Sequence, residues 1–503
     1  MNKGKIIIAM IFMILIGNPS MAAAEEKISW PDTVDMIDTY VQQEMEASKI
    51  PGLAIGIVHG NEIIYTRGYG MADEQTVRVT QNTPFYIGSV GKTFTALAIR
   101  QLEGEGKIDV KAPAVHYIPW FTLADGSGKD ITVEELLNHT SGLTTRAGNA
   151  AYSYNKKYSI EQAVRQINKR EKLKRPAGES YEYSNLNYVI LGLIVEYASG
   201  LTYEEYITKN IFEPLQMKES FVSKAKAANA GLAQGYREIY GLNIPIYLDQ
   251  PIGQIPAGFQ LSSANDMAKY LVSFLNNGYY EGKSILPNNQ LLPPEDPLLP
   301  SYSTASYYGL EWGITSDPAL KEYNRFYGFM GATPDFNSAI LISQVHRYGV
   351  VVLVNQRGTF RTPVLTAQLV GNGITDILLY HHMPSSVPRK KDTKQLLLPG
   401  ITFLISLVCI YSCVRFPSKL NTAKRKRAIL FLVLLNILLP VVFLIGVPIL
   451  YDNSWIFFLS AGAEYNLWEF ALSLLLLVLG GIKLSFIAGE KMNKDTDRND
   501  QNV

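Results

Sequence analysis

Cysteine is scarce in this chain of 503 residues: it has two, Cys409 and Cys413, and both fall in one apolar segment near the C-terminus. The part of the chain before that segment therefore has no disulfide bond and no cysteine-ligated zinc site. The six histidines show no spacing typical of a metal site. We therefore predict no metal and no cofactor, and expect a fold that is stabilised by an ordinary buried core.

Neither sign of charge predominates. The chain has 46 Lys and Arg against 45 Asp and Glu, a net charge of +1, and its basic residues form no long stripe. A nucleic-acid partner is not expected, because proteins that bind nucleic acid concentrate positive charge on one face. Internal repeats and low-complexity tracts are also absent from the sequence, which excludes a repeat array.

Residues 1–24 have the pattern of a secretory signal peptide. A basic start is followed by an apolar run at residues 6–17 and by the small residues Ala22, Ala23 and Ala24. An uncleaved N-terminal anchor is the alternative, but the apolar run is shorter than the ~20 residues that cross a bilayer. Cleavage after Ala24 is the prediction, and it places residues 25–385 outside the cytoplasm.

Three long apolar segments lie within residues 396–490, and each has about the ~20 residues that a membrane helix needs. They are residues 396–414, 428–451 and 467–488. The loop between the first two carries six Lys or Arg, the loop between the last two carries none, and the short polar tail, residues 491–503, carries Lys491 and Lys494. The positive-inside rule then predicts a multi-pass protein of the cell membrane with its large domain extracellular. The basic juxtamembrane linker, residues 386–395, would lie outside, as a solvated linker or in contact with anionic lipid or wall polymer.

Alternating apolar and polar residues predict β-hairpins near both ends of the exported part, at residues 52–68 and 338–355. Helical periodicity precedes the first hairpin, at residues 33–48, and follows the second, at residues 363–380. The predicted fold is therefore α/β (α+β): one antiparallel sheet closed by both ends of the domain, flanked by helices, with an inserted helical subdomain. Residues 286–304 are rich in Pro and Asn and are predicted to form a long surface loop.

Ser89 and Lys92 carry the strongest chemical signal. They follow a strand-like run and open an apolar-periodic helix in the segment YIGSVGKTF. Residues three apart share a helix face, so the Lys92 amine can reach the Ser89 hydroxyl. The positive end of a helix also favours an oxyanion, and a serine so placed becomes a nucleophile without a histidine. A P-loop overlaps this pattern, but it requires glycine where the chain has Tyr86.

A second motif, residues 176–192, contains Tyr183 and Asn185 in the form Tyr-x-Asn. Together with the Ser-x-x-Lys motif it resembles serine β-lactamases of class C and their penicillin-binding-protein relatives. Further matching segments are LLNHTSGL, NIFEPLQM and YGLEWG, at residues 136–143, 210–217 and 308–313. The resemblance spans about residues 32–379, and the membrane segment after it is similar to that of FmtA-like proteins of Gram-positive bacteria. His139, within LLNHTSGL, is expected to make a packed hydrogen bond in the core rather than to act in catalysis.

The resemblance implies a β-lactamase/transpeptidase-like fold and a role for each motif residue. Ser89 is the acylated nucleophile. Lys92 and Tyr183 take its proton and return it to the leaving group. Asn185 holds the acyl amide of the substrate and positions Lys92. The backbone N–H groups of Ser89 and Ala332 form the oxyanion hole.

The third motif departs from the family pattern. The family has a basic residue two positions before a glycine, as His-x-Gly or Lys-Thr-Gly, on a strand beside the serine. Here that strand reads FMGA: Gly331 and Ala332 match, and Phe329 replaces the basic residue. The family's cation faces a substrate carboxylate and favours a phenolate at the position of Tyr183, whereas an aromatic ring does neither. Phe329 therefore changes substrate binding, or it fills the core of an enzyme that has lost activity.

These features predict a membrane-anchored extracellular serine hydrolase that acts on a cell-wall polymer or peptidoglycan-type substrate through an acyl-enzyme. A D-alanyl ester of teichoic acid is favoured over a D-Ala peptide, because Phe329 cannot pair with the free carboxylate of the peptide end. A β-lactam is a possible ligand. Two alternatives remain: a receptor that binds penicillin or wall fragments and signals through the membrane, and a non-catalytic wall-binding protein. The short C-terminal tail, with no cytoplasmic output domain, argues against the receptor.

Overall fold

The structure, a computed structural model, describes residues 29–74, 76–151, 155–239, 242–286, 306–307, 310–311, 313–315, 326–357, 366–384, 403–408, 410–411, 422–450 and 464–500. Its helices are α1 (Trp30–Ser48), α2 (Lys92–Gly104), α3 (Ala114–Tyr117), α4 (Val133–Leu137), α5 (Thr145–Ala150), α6 (Ile160–Arg170), α7 (Asn185–Ser199), α8 (Tyr203–Ile207), α9 (Lys224–Asn229), α10 (Ile255–Gly258), α11 (Ala264–Leu275), α12 (Thr366–Tyr380), α13 (Thr422–Val433), α14 (Leu439–Leu450) and α15 (Glu464–Asp500). Its strands are β1 (Gly52–His59), β2 (Glu62–Gly70), β3 (Phe85–Tyr86), β4 (Gly235–Ile239), β5 (Leu242–Ile246), β6 (Leu261–Ser262), β7 (Tyr279–Tyr280), β8 (Lys283–Ser284), β9 (Ser306–Tyr307), β10 (Leu310–Glu311), β11 (Gly313–Thr315), β12 (Phe326–Ala332), β13 (Asn337–Ser343), β14 (Tyr348–Val354) and β15 (Gln356–Arg357).

The main sheet has the strand order β11-β12-β13-β14-β1-β2, and every neighbouring pair is antiparallel. The two predicted hairpins are β1–β2 and β13–β14. They lie side by side because β14 pairs with β1 over its whole length, from Leu53 opposite Val354 to His59 opposite Tyr348. The prediction of one antiparallel sheet closed by both ends of the domain is confirmed.

Both faces of this sheet are covered, which explains why its central strands are almost continuously apolar. Along β14, Val352 points to a cluster that includes residues of α1 and α12, and Val351 points to a larger cluster on the opposite face. On that second face α11 approaches so closely that a Cβ atom at Gly56 would lie 2.9 Å from the carbonyl oxygen of Ala264. The sheet is therefore a rigid inner layer on which the site is built.

The predicted helical subdomain is inserted between β3 and β6 and packs around α7. The helix is buried through nearly its whole length, from Asn185 to Val195, and packs against α2, α4, α6 and α10. Ser89 does not lie in the α-helix itself: it lies in a 3₁₀ turn, Gly88–Gly91, and Lys92 is the first residue of α2. The spacing of three residues still places both side chains together, because a 3₁₀ turn aligns residues i and i+3.

Near the C-terminus, two helical segments are long and apolar enough to cross a membrane: Lys426–Gly446, with mean hydropathy 3.1, and Phe470–Ala488, with mean hydropathy 2.3. The described residues thus hold two such helices rather than the three that we predicted. The first predicted span, residues 396–414, lies largely outside the described residues. The signal peptide and the basic linker also lie outside them, as does nearly all of the loop predicted at residues 286–304.

Candidate active site

The turn that carries Ser89 is in close contact with β12, the strand that carries the third motif. Gly88 has φ +54°, and a Cβ atom there would lie 2.3 Å from the backbone nitrogen of Ala332. A Cβ atom at Gly331 would lie 2.0 Å from the carbonyl oxygen of Ile87. Only glycine fits at both positions, so the glycines of the first and third motifs allow β12 to touch the serine turn.

Ser89 lies between two polar side chains that the sequence predicted. Its Oγ is 2.8 Å from the Tyr183 hydroxyl oxygen and 3.0 Å from Lys92 Nζ. Tyr183 lies in the extended residues before α7, 94 positions along the chain from Ser89. The fold therefore brings together a hydroxyl nucleophile and two groups within hydrogen-bond reach of it, which is the geometry that an activated serine requires.

Lys92 is fully buried, and its Nζ has three acceptors. They are Ser89 Oγ, Asn185 Oδ1 at 2.8 Å and the backbone carbonyl oxygen of Ala257. The last two oxygens only accept hydrogen bonds, so they use two protons of the amine. As an ammonium, Nζ donates its third proton to Ser89; as a neutral amine, it turns its lone pair towards the hydroxyl. No sequence pattern could have indicated Ala257, because any residue can supply a backbone carbonyl.

Tyr183 is held by residues that the sequence analysis did not assign to the site. Its backbone oxygen accepts a hydrogen bond of 2.6 Å from Thr145 Oγ1. His139 packs against its ring, and the Nδ1 atom of His139 accepts a hydrogen bond from the backbone N–H of Ser184 at 3.0 Å. The expected packed hydrogen bond of His139 is therefore confirmed. Lys92 Nζ also lies 5.0 Å from the centre of the Tyr183 ring.

The backbone N–H of Ala332 is directed away from β13. The next N–H along, that of Thr333, donates to the carbonyl oxygen of Phe336 across the turn to β13. Successive N–H groups of a strand alternate between its two edges, so the N–H of Ala332 lies on the edge of β12 that meets Gly88. The resemblance requires an oxyanion donor on this edge of β12, beside the turn that carries Ser89.

Phe329 shares a face of β12 with Gly331. Met330, between them, packs against the cluster on the other face of the sheet. The Phe329 side chain is 5% exposed and belongs to the larger hydrophobic cluster. The position at which the family has a cation is therefore occupied here by a buried aromatic ring. Among the residues that the structure describes, no group of three or more His, Cys, Asp or Glu side chains is arranged to hold a metal ion.

Comparison of this chain with known proteins points to one family. A family model described as Beta-lactamase matches residues 37–372. Protein flp of Staphylococcus aureus (strain MW2) is 28% identical over 442 residues, which cover 85% of this chain and 86% of that protein. Teichoic acid D-alanine hydrolase of Staphylococcus aureus is 29% identical over 327 residues, which cover 64% of this chain and 73% of that protein.

Two solved structures have a similar fold. The octameric penicillin-binding protein homologue from Pyrococcus abyssi aligns with a TM-score of 0.57 and 26% identity, over 69% of this chain and 77% of that one. A class C beta-lactamase aligns with a TM-score of 0.55 and 21% identity, over 69% of this chain and 96% of that one. The second alignment covers almost all of that enzyme, so this chain contains nearly all of its fold.

Proposed function

The chain belongs to the beta-lactamase family, and we propose that it is a membrane-anchored, extracellular serine hydrolase. Its substrate is a D-alanyl ester of a cell-envelope polymer, and its intermediate is an acyl-enzyme at Ser89. The observation that carries the proposal is the contact of Ser89 Oγ with both Lys92 Nζ and the Tyr183 hydroxyl. This arrangement supplies a nucleophile, a proton acceptor and a proton donor without a metal or a cofactor.

Acylation begins with attack of Ser89 Oγ on the ester carbonyl carbon. The serine proton passes to Lys92 Nζ, which in its neutral form presents a lone pair 3.0 Å away. The carbonyl oxygen becomes an oxyanion, and the N–H groups of Ser89 and Ala332 stabilise it. When the tetrahedral intermediate collapses, the bond to the polymer alkoxide breaks, and Tyr183 gives that alkoxide a proton.

Deacylation reverses these roles with water as the nucleophile. Tyr183, left as a phenolate by acylation, accepts a proton from water as the water oxygen attacks the D-alanyl carbonyl carbon. The bond to Ser89 Oγ then breaks, Lys92 returns to the serine the proton that it took during acylation, and D-alanine leaves. Asn185 and the Ala257 carbonyl keep Nζ in place throughout, because they accept two hydrogen bonds that the serine does not need.

Two observations favour an ester of D-alanine over a peptide with a free D-alanine carboxylate. Phe329 is buried and apolar, so it offers no charge-assisted hydrogen bond to a carboxylate. The relative named teichoic acid D-alanine hydrolase matches 64% of this chain. The ester substrate also carries a positively charged amino group rather than a negative charge, which suits a site without the family's cation.

The surfaces of the two apolar helices, as well as their composition, support the proposed membrane anchor. The two apolar helices expose large side chains, among them Phe486 at 70% and Val478 at 58%. Water would disfavour such a surface, whereas lipid matches it. With the signal peptide and the charge asymmetry of the loops, this supports an extracellular domain at residues 25–385, held by the segment at residues 396–490.

The test is turnover by the purified full-length protein in detergent. We expect release of D-alanine from D-alanylated teichoic acid, and labelling of Ser89 by a fluorescent active-site serine probe. Ser89→Ala should abolish both, since the loss of a covalent nucleophile costs orders of magnitude in rate. Thr93→Val is a matched control, because its hydroxyl is buried one turn away and donates to the Val90 carbonyl.

The same experiment separates the alternatives. Labelling of Ser89 by a penicillin without turnover of any ester would favour the receptor. Absence of both labelling and turnover, with polymer binding retained, would favour the non-catalytic wall-binding protein. Labelling that persists in Ser89→Ala would remove Ser89 from the mechanism.

A further inference from the structure

A cavity of about 280 Å³ lies beside the segments that carry the oxyanion donors, yet its lining contains none of Ser89, Lys92, Tyr183 and Asn185. Tyr86, three residues before the nucleophile, lines it, as does Asp335, three residues after Ala332. Parts of α9 and of the β4–β5 hairpin complete the wall. The catalytic scheme above uses none of these side chains, although two of them, Tyr86 and Asp335, are polar and buried.

The first unexplained group is the hydroxyl of Tyr86. The side chain is 2% exposed, and its ring is held edge-on by Phe259 and Phe336, at centroid distances of 6.2 and 5.6 Å. Its hydroxyl has no hydrogen-bond partner among the residues that the structure describes. Buried polar atoms are nearly always paired in folded proteins, so this hydroxyl is a candidate hydrogen-bonding group for a molecule bound in the cavity.

The second group is the carboxylate of Asp335, which is also 2% exposed. Its Oδ1 accepts a hydrogen bond of 2.9 Å from Thr333 Oγ1. Its Oδ2 lies over Gly235, where a Cβ atom would be 2.3 Å away, and no side chain of the described residues donates to it. Burial raises the pKa of Asp335 to about 6. A buried carboxylate without an ion-pair partner is costly, and a cationic ligand would reduce that cost.

A positive charge faces the same cavity. Lys224 lies at the start of α9, and its Nζ donates to the carbonyl oxygen of Leu248 at 2.5 Å. An ammonium has three donors, so two are not used in hydrogen bonds with the residues that the structure describes. The positive charges of Arg237 and Lys224 both lower the pKa of Asp335 and so oppose part of the effect of its burial, but neither side chain forms an ion pair with it within 4 Å. Asp73, the other acidic residue of the lining, is already engaged by Thr76 and the backbone N–H of Val77.

We propose that this cavity binds a small zwitterionic amino acid. The ammonium group lies on Asp335 Oδ2 and the Tyr86 hydroxyl, and the carboxylate lies on Lys224 Nζ. Such a ligand pairs both charges and the unpartnered hydroxyl at once, which neither an amine nor a carboxylic acid does alone. The identity of the ligand as D-alanine, though not the site itself, rests on the proposed function, because D-alanine is the product of that reaction.

The test is isothermal titration calorimetry on the full-length protein in detergent, with D-alanine, L-alanine, ethylamine and propionate. We expect one D-alanine per chain, and ethylamine and propionate weaker by at least about tenfold, equivalent to about 1.4 kcal/mol. Asp335→Asn and Lys224→Met should each weaken D-alanine by about tenfold or more, and Tyr86→Phe by severalfold. Lys226→Met is the matched control: it removes the same charge from the same helix, at a side chain that instead pairs with Glu204.

Several outcomes would overturn the proposal. No heat of binding for any of the four compounds would mean that the cavity holds only water. Binding that is unchanged in Asp335→Asn and Lys224→Met would place the amino acid elsewhere. Equal affinity for L-alanine would support the site and overturn the assignment of D-alanine. The proposed hydrolase activity is measured separately, by release of D-alanine from the polymer. Each proposal can therefore fail without deciding the other.

Discussion

The imidazole ring of His139 lies face to face with the phenol ring of Tyr183, with centroids 4.6 Å apart and ring planes 27° apart. His139 is fully buried, and its Nδ1 atom is fixed by the backbone N–H of Ser184 and by Asn187 Nδ2, 2.8 Å away. The imidazole therefore fixes the plane of the tyrosine whose hydroxyl lies 2.8 Å from Ser89 Oγ. His139 is a positioning residue, because it reaches the serine only through Tyr183.

If His139 positions Tyr183, the His139→Ala variant should lose about 10- to 100-fold in kcat with little change in KM. A displacement of about 1 Å in a catalytic group has effects of this size. His139→Phe keeps a ring against Tyr183 and should recover part of kcat, although it leaves the Ser184 N–H without its acceptor. Tyr181→Phe is the control, since Tyr181 meets His139 only edge-on at 6.0 Å. Equal losses in the Ala and Phe variants would assign the effect to the hydrogen bond and not to the stack.

Phe329→His should restore the cation that the family has at this position. A cation near Tyr183 favours its phenolate, so the rising limb of the pH dependence of kcat/KM should move to lower pH. Penicillins and other substrates with a carboxylate should acylate Ser89 faster relative to an ester, because of a charge-assisted bond worth roughly 1.5–3 kcal/mol. Because Phe329 is buried, Phe329→Leu is needed as a control for packing. If both variants change the ratio of the two substrates equally, Phe329 acts through packing alone.

Gly331→Ala should separate the third-motif strand from the serine turn. The new Cβ atom would lie 2.0 Å from the Ile87 carbonyl oxygen, which is backbone and cannot move alone. We expect destabilisation of about 1–3 kcal/mol and a loss of acylation, measured by unfolding in denaturant and by probe labelling. Gly328→Ala is the control in the same strand, because its nearest contact is the flexible end of Leu341, at 2.9 Å. Full labelling of Gly331→Ala would contradict the close contact of β12 with the turn.

Asp335→Asn should change how stability depends on pH. Burial raises the pKa of Asp335 from 3.8 to about 6, so the folded chain holds this proton more tightly than the unfolded chain. The contribution to stability is complete below pH 3.8 and is lost as pH rises through 6. Two pKa units correspond to about 3 kcal/mol. As pH rises from 4 to 7, the free energy of unfolding of the variant should therefore increase by about this much relative to that of the parent. Other titrating groups contribute equally to both proteins and cancel in this comparison.

The measurement is denaturant unfolding of the full-length protein in detergent, followed by tryptophan fluorescence across that range. Asp125→Asn serves as the control, because hydrogen bonds from Ser127 lower the pKa of the exposed Asp125, so that it titrates below this range and its variant should follow the pH profile of the parent. Identical pH profiles for the parent and Asp335→Asn would show that Asp335 keeps an ordinary pKa in the folded protein.

The membrane orientation can be tested with single cysteines. Cys409 and Cys413 are first replaced by serine. A cysteine at Lys424, in the basic loop, should then resist an impermeant thiol reagent in sealed cells, because the positive-inside rule places that loop in the cytoplasm. A cysteine at Ser454, in the loop without basic residues, should react. Reaction at position 424 and protection at position 454 would reverse the proposed topology.

The local parts of this protein can be predicted from its amino-acid order alone. The hairpins β1–β2 and β13–β14 and the helices α1 and α12 are visible in it, because apolar periodicity is a property of neighbouring residues. The spacing of Ser89 and Lys92 likewise predicted their contact of 3.0 Å. The roles of Tyr183, Asn185 and Ala332 came from a motif resemblance rather than from any pattern of periodicity.

The contacts between distant parts of the chain follow from its three-dimensional packing and from no local pattern. The acceptor that Ala257 offers to Lys92 lies 165 residues away, and it is a backbone carbonyl, which any residue could supply. The stack of His139 on Tyr183 and the cavity around Asp335 depend on how the inserted helices and the β4–β5 hairpin pack. The physical reason is that burial and desolvation are set by neighbours in space. A sequence pattern reports neighbours along the chain, and so it could name the catalytic residues without showing what surrounds them.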